Sequence, residues 1–318
     1  MKQYVDFKNV NINDHLVLSI KESGKTVTAI KAGERVSKIV GTVLTYTFLI
    51  ALALLVIFPF YWMIITSLKT LDEITATKQT FFPTTVMWTN YVYIFQKFDF
   101  SSYMVNTVAV AILSTIGTLL TTIFAAFAFS RLKFKGRETV FAVFLMTMMI
   151  PGEMMVISNY ITVASFGWIG EHQTRIQAYA AMTVPMLVSV FYIYLLRQNF
   201  KQIPNELYLA AKVDGKSDWS YLWKVMVPLA APTLISISIL KFMGTWNAYV
   251  WPRLVVNEEY TLISVGLRGG AFTNIDLGIV EYGYRMAASF VVTVPLFLLF
   301  IFFRKYIMRG VGRAGIKG

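Results

Sequence analysis

Six long stretches almost free of charge constrain this chain more than any other feature. Residues 39–68, 100–130, 176–196 and 286–303 contain no Asp, Glu, Lys or Arg, while 139–170 contain only Glu153 and 225–252 only Lys241. A helix needs about 20 consecutive, mostly apolar residues to cross the hydrocarbon core of a bilayer. A soluble fold that buried these runs would still need a polar surface to cover them. Only 14% of the residues are charged, 56% are hydrophobic and the mean hydropathy is +0.59. The sequence therefore predicts an all-α integral membrane protein with six transmembrane helices. The first run follows 38 residues of mixed charge and far exceeds the roughly 7–15-residue apolar region of a signal peptide, so it reads as a true span.

Six spans place both termini on one side of the membrane. The segments on that side (1–38, 131–138, 197–224 and the tail from Arg304) hold 21 of the 29 Lys and Arg, and the three loops opposite hold 7, with Lys241 left over. The positive-inside rule then puts both termini in the cytoplasm, with 1–38 a cytoplasmic segment, 39–308 the six-span domain and 309–318 a cytoplasmic tail. The same asymmetry accounts for the net charge of +12 without nucleic acid as a partner. With no cysteine and two histidines far apart, His15 and His172, neither a disulfide framework nor a His-based metal site is expected. The opposite loops, 69–99 and 253–285, are polar. Trp88, Tyr91, Trp251 and Tyr260, in or beside them, suit an interfacial belt or the docking surface of an external partner.

The most informative loop joins spans four and five: RQNFKQIPNELYLAAKVDGKSDWSYLWKVMVP, 197–228. Pro204 suits the first turn of a helix, and Glu206 its positive end. Leu207, Ala210 and Ala211 offer a face that allows close approach. Asp214-Gly215 suits a left-handed stop and Ser217 the cap of a second helix running to Pro228. By shape alone this helix–turn–helix is equally a surface hairpin between two spans.

The residues say more. The loop resembles the cytoplasmic loop of binding-protein-dependent ABC importer permeases, whose pattern is Glu-Ala-Ala, then Asp-Gly, then a hydrophobic residue and Pro. The matching positions are Leu209-Ala210-Ala211, Asp214-Gly215 and Val227-Pro228, and Glu206 matches an upstream IPxEL element of sugar permeases. PFYWMIITSLKT (59–70), FAFSRLKFKGRE (127–138), MTMMIPGE (146–153), LLRQNFKQIP (195–204), GTWNAYVWP (244–252) and AGIKG (314–318) are similar to segments of the maltose-type carbohydrate subfamily in the same order. The resemblance implies an importer core over about 100–304. It also implies a coupling helix between spans four and five, seated on a separate ATPase through Glu206, Ala210, Ala211, Asp214 and Gly215. The implied partners are two ATP-binding subunits, a second permease, usually a different chain, and an extracellular or periplasmic solute-binding protein, in a bacterial or archaeal cell membrane. ATP and Mg would then sit on the partner, with no cofactor on this chain. Leu209 departs from the motif's Glu, and Lys212 is the neighbouring charge placed to stand in for it.

Two fragments resemble the end of a phosphate-binding loop, Gly24-Lys25-Thr26 and Gly215-Lys216-Ser217. The earlier Gly such a loop needs is Ser19 in one case and Ala210 in the other, so neither qualifies. The chain is not expected to be an enzyme.

Glu153 and Lys241 are the charges within spans, where a charge is costly and usually functional or paired. At 1.5 Å per residue they reach a similar depth, about 20 Å along spans three and five, and are expected to pair in the bundle interior. Lys241, Gly244, Thr245 and Ala248 share one helical face. Pro151-Gly152 is placed to break span three beside Glu153. Glu153, Asn159, Tyr160, Lys241, Thr245 and Asn247 form the candidate substrate path for a sugar or oligosaccharide. A polyol or glycerol phosphate is the alternative solute. A channel or secondary transporter would be expected to show a filter motif or internal repeats, and neither is visible.

Overall fold

The computed structural model describes residues 12–97, 99–269, 272–274 and 279–312. The AGIKG element and the start of the N-terminal segment (1–11) lie outside the described residues. In chain order the helices are α1 (Ile12–Ser67), α2 (Leu71–Thr75), α3 (Thr89–Lys97), α4 (Phe100–Ser130), α5 (Arg137–Met146), α6 (Val156–Ser165), α7 (Arg175–Thr183), α8 (Val190–Gln202), α9 (Asn205–Val213), α10 (Asp218–Tyr221), α11 (Val227–Leu229), α12 (Ala231–Trp246), α13 (Val250–Val255) and α14 (Ile263–Arg268). A two-residue antiparallel ladder follows, β1 (Thr273–Asn274) with β2 (Ile279–Val280), and then α15 (Tyr282–Gly312).

Among the described residues three helical stretches are long and apolar enough to cross a membrane: Lys38–Ser67, Phe100–Ser130 and Tyr282–Arg304. Three more candidates are bent pairs, so the number rises to six if each pair is one span. Arg137–Met149 and Gly152–Ser165 meet at 90°, Arg175–Met186 and Val190–Gln202 at 57°, and Asp218–Leu229 and Ala231–Trp246 at 78°. The expected six runs are present, but half of them are broken. Proline is the local cause: Pro151 is extended at the first break, Pro185 occupies the last turn before the second, and Pro228 and Pro232 flank the third.

The chain divides into two compact units, 1–62 and 63–318. In the first, α1 is apolar on every side from Ile39 to Phe60. Leu44, Phe48 and Leu55 are all exposed, as suits a helix sheathed in lipid. In the second unit α4 is the central post, packed against α7, α8, α12 and α14. Its buried positions Thr107, Ala111, Ser114, Thr118 and Thr122 recur every three or four residues. Small residues at that spacing let helices approach closely without lipid between them. Their hydroxyls are partly satisfied within the helix, Thr107 Oγ1 donating to the Tyr103 carbonyl and Thr115 Oγ1 to that of Ala111, both at 2.7 Å. One apolar cluster joins Phe127 of α4, Phe200 of α8, Tyr221, Met226 and Ile237 of α12. A second gathers Ile94, Trp246, Ile263 and Ala288, and a third gathers Val110, Met182, Trp251 and Leu262.

Trp251 and Tyr260 belong to this interior rather than to an external face. Both are buried, and Trp251 Nε1 donates to the Ala181 carbonyl at 3.1 Å. Trp88, by contrast, is exposed, as an interfacial or docking residue would be.

Candidate functional site

The loop between the fourth and fifth spans folds as a hairpin of two short helices. Pro204 takes an extended conformation (φ −54°, ψ 137°) as the N-cap, one residue outside the helix it was expected to begin. Glu206 lies in the first turn of α9. The helix ends in a Schellman turn: the Gly215 N–H donates to the Lys212 carbonyl (3.1 Å) and the Lys216 N–H to that of Ala211 (2.9 Å). Gly215 stands at φ +69°, where any Cβ is strained. Ser217 Oγ then accepts from the Ser220 N–H at 3.2 Å and caps α10. A π-helical turn, Leu222–Met226, carries the chain into α11, a feature the sequence did not announce.

Ionic contacts hold the two arms together. Lys212 Nζ lies 2.9 Å from Asp218 Oδ1, and the Tyr208 hydroxyl donates to the same oxygen at 2.7 Å. These two donors hold the Asp218 carboxyl below its ordinary value of 3.8. The Lys212 ammonium also sits 5.4 Å from the centre of the Tyr208 ring. Lys212 is thus engaged within the hairpin by Asp218 and the Tyr208 ring. The outward face carries Glu206, Leu209, Ala210, Val213, Asp214 and Gly215. Leu209 is 54% and Val213 88% exposed, a conspicuous pair of bare apolar side chains at i, i+4. Ala211 turns partly inward against the core.

Two arginines that sequence reading counted only as loop charge fix the base of the hairpin. Arg131, buried at the end of α4, donates from Nη2 to the carbonyls of Phe200 (2.8 Å) and Ile203 (2.5 Å), with Nη1 3.5 Å from Asn205 Oδ1. Both carbonyls lie where α8 stops, the negative end of its dipole, and that of Phe200 also accepts the Ile203 N–H at 3.3 Å. Arg197 is also buried. It donates from Nε to the Phe129 carbonyl (3.0 Å), pairs with Glu138 at 2.6 Å and lies 3.8 Å from the centre of the Phe141 ring. The available signal was position: each is the first charge after a long apolar run.

A second feature lies among the spans. A cavity of about 420 Å³ is lined by residues of α4, the α7–α8 break, α12 and α13, including Ser114, Ser189, Tyr192, Lys241, Thr245 and Trp251. Lys241, Gly244, Thr245 and Ala248 all line it, the single helical face read from their spacing. Lys241 does not pair with Glu153. Its Nζ donates to the Met186 carbonyl at 2.8 Å, and Glu153 is exposed in the 3₁₀ turn after Pro151. The physical reason is the two breaks: the bend at Pro151 carries Glu153 off the axis on which equal depth was reckoned, and the α7–α8 break supplies a nearer acceptor. Asn159, Tyr160 and Asn247 do not line the cavity either. Asn247 Nδ2 donates to the Met243 carbonyl of its own helix. Sequence reading missed Ser114, Ser189 and Tyr192, because nothing local shows that three helices converge there.

The α7–α8 break shows how an interrupted span is tolerated. The carbonyls of Met186 and Leu187 have no helical donor four residues on. Lys241 of α12 supplies the first, and Thr121 Oγ1 of α4 the second at 2.9 Å. Gly117 makes room beside it, since a Cβ there would lie 2.5 Å from Leu187 Cδ2.

Helices fit to cross a membrane, a closed hairpin between the fourth and fifth spans and a cavity among the spans that mixes polar and apolar side chains together describe a membrane transport component. Comparison makes this particular. Residues 27–313 match the family "Binding-protein-dependent transport system inner membrane component", and the chain belongs to that family. It is therefore a multi-pass inner-membrane protein, and the channel and secondary-transporter readings fall away. The lactose transport system permease protein LacG of Rhizobium radiobacter is 31% identical over 271 residues, covering 84% of this chain and 94% of that protein. The trehalose/maltose transport system permease protein MalG of Thermococcus litoralis is 29% identical over 288 residues, 90% and 98% of the two chains. Among solved structures, one chain of a bacterial ABC transporter that imports the acidic polysaccharide alginate matches with a TM-score of 0.71 at 21% identity, covering 85% of this chain and 97% of that one. A chain of the alginate transporter in complex with its pentasaccharide-bound periplasmic protein matches at 0.56 and 17% identity, covering 85% and 94%. At these identities the two structures establish the fold alone.

Proposed function

We propose that this chain is one permease subunit of an ATP-driven importer that brings a sugar or oligosaccharide into the cell. Relatives across most of its length, such as the lactose and trehalose/maltose permease proteins, carry the saccharide reading. The observation that carries the mechanism is the closed hairpin at 203–228. Its turn is fixed by Gly215 and the Lys212–Asp218 pair, while Glu206, Leu209, Ala210 and Val213 face outward. In this reading both termini and the hairpin are cytoplasmic, and the hairpin is the coupling helix on a separate ATP-binding subunit. Nucleotide binding draws two such subunits together and shifts the permease pair between inward-facing and outward-facing states. ATP and Mg are held by the partner, and this chain performs no chemistry. A second permease, a different chain, completes the path, and a solute-binding protein delivers the sugar from outside. The domain division 1–38, 39–308 and 309–318 belongs to the same reading.

The test is purification of the tagged chain in mild detergent with assay of ATP hydrolysis. Hydrolysis that accompanies the native chain and disappears with Gly215→Val is the expected result. A β-branched residue at φ +69° costs about 1–2 kcal/mol and reshapes the turn without touching the membrane spans. Native chain that carries no hydrolytic activity, under conditions that preserve membrane complexes, overturns the reading.

A further inference from the structure

Lys241 is the least economical residue in the membrane-embedded part of the chain. It lies in α12, within a span, and lines the 420 Å³ cavity. An ammonium has three donors. One goes to the Met186 carbonyl at 2.8 Å, and among the described residues no carboxylate lies within ion-pair distance of Nζ. Glu153, the other charge within a span, does not reach it.

Satisfying the Met186 carbonyl does not require a charge. The next carbonyl along the same break, that of Leu187, is satisfied by the hydroxyl of Thr121. A charged side chain at mid-span is costly, and a hydroxyl or amide there costs less. The excess is explained by a counter-charge that arrives from outside the chain. The cavity offers the setting: hydroxyls of Ser189 and Thr245, the phenol of Tyr192 and apolar walls, in the size range of small-molecule sites, about 300–1,000 Å³.

We propose that the Lys241 ammonium recognises an anionic substituent, carboxylate or phosphate, on the saccharide that passes through this cavity. The proposal rests on the importer reading and narrows its substrate class. Charge-assisted hydrogen bonds are the strong ones, and one from Lys241 separates an acidic sugar from its neutral counterpart.

The experiment uses the complete transporter, purified from its native membranes with its solute-binding protein and reconstituted in vesicles. Vesicles receive ATP on the nucleotide side and, on the other, a mixture of neutral oligosaccharides, uronate oligosaccharides and sugar phosphates. Mass spectrometry identifies what crosses. Import of uronate or phosphorylated sugars, and not of neutral ones, is the expected result, and the two acidic arms distinguish carboxylate from phosphate. Lys241→Gln, which keeps a donor for Met186 without the charge, is expected to lower that import about 10- to 100-fold, the worth of a charge-assisted hydrogen bond. Lys241→Arg is expected to retain much of it. Import of neutral sugars, or acidic-sugar import unchanged in Lys241→Gln, overturns the proposal and leaves the importer reading standing. No ATP-dependent import of any saccharide overturns both.

Discussion

The hairpin at 203–228 and the break between α7 and α8 pose the same physical problem and solve it oppositely. Each interrupts a helix and leaves backbone groups without helical partners. At the hairpin's turn the partners are local: Ala211 and Lys212 carbonyls take the Lys216 and Gly215 N–H groups, Ser217 caps α10, and Lys212 meets Asp218 six residues on. At the break the partners come from far along the chain, Lys241 and Thr121 from α12 and α4. The first arrangement fixes its own shape, and the second exists only when three helices are assembled. A turn that must present one face to a partner benefits from self-sufficiency. A cavity wall benefits from depending on every helix around it.

The sharpest way to break this comparison is at the joint between the two regions. Arg131→Met takes the guanidinium donor from the Ile203 carbonyl and leaves the Phe200 carbonyl only the Ile203 N–H, at a cost of about 1–3 kcal/mol. We expect transport to be lost and the purified chain to lose thermal stability by several degrees, which detergent-based thermal unfolding would register; unchanged stability would deny Arg131 its role. Next in size is Thr121→Val, which strips the Leu187 carbonyl of its donor at the cost of about 1–3 kcal/mol. It should destabilise the bundle and yet leave the hairpin's amide-exchange protection intact. Loss of hairpin protection would show that the turn is not self-contained.

Leu209→Glu should behave in the reverse sense. Leu209 is exposed, so the isolated chain should unfold as before, within about 0.5 kcal/mol. Recovery of the ATP-hydrolysing partner should fall by the worth of an apolar side chain removed from an interface, about 1–2 kcal/mol. Equal recovery would mean that this face is not the one used. The smallest effect concerns pH. Asp218 is held below its ordinary 3.8, so its contribution is fully present above that value and fades as pH falls through the lowered one. Lys212 is raised above 10.5 by Asp218, so its contribution is fully present below that value and fades only as pH rises through the raised one. Hydrogen exchange in α9 should therefore be indifferent to this pair between pH 5 and 9 once the intrinsic rate is divided out. A transition inside that window would assign the closure to other groups.

The same contrast explains what could be read in advance. The hairpin was legible because its signals are adjacent in sequence: Glu206 lies in the first turn of α9, Gly215 stops that helix and Ser217 caps the next. The charge-free runs were legible because hydrophobicity needs no partner. The bend at Pro151 was visible, yet its 90° size was not, and that angle removed Glu153 from the expected pair. Lys241 was rightly singled out as costly, but its acceptor is a carbonyl freed by a break 55 residues away. Arg131 and Arg197 were hidden for a related reason. A guanidinium at the end of a span looks like one more positive-side charge until the helix terminus it closes is folded beside it.

The Arg131 contact also has a mechanical meaning. The hairpin is closed on itself at the tip and held at its base by the Arg131 guanidinium, which grips the end of α8 and the start of α9. A sideways push at the free end of an arm gripped at its base acts as torque about that grip. The axis of that torque runs where α4 and α8 end together. A displacement of the exposed tip would thus arrive in the bundle as rotation of two helices that both border the cavity.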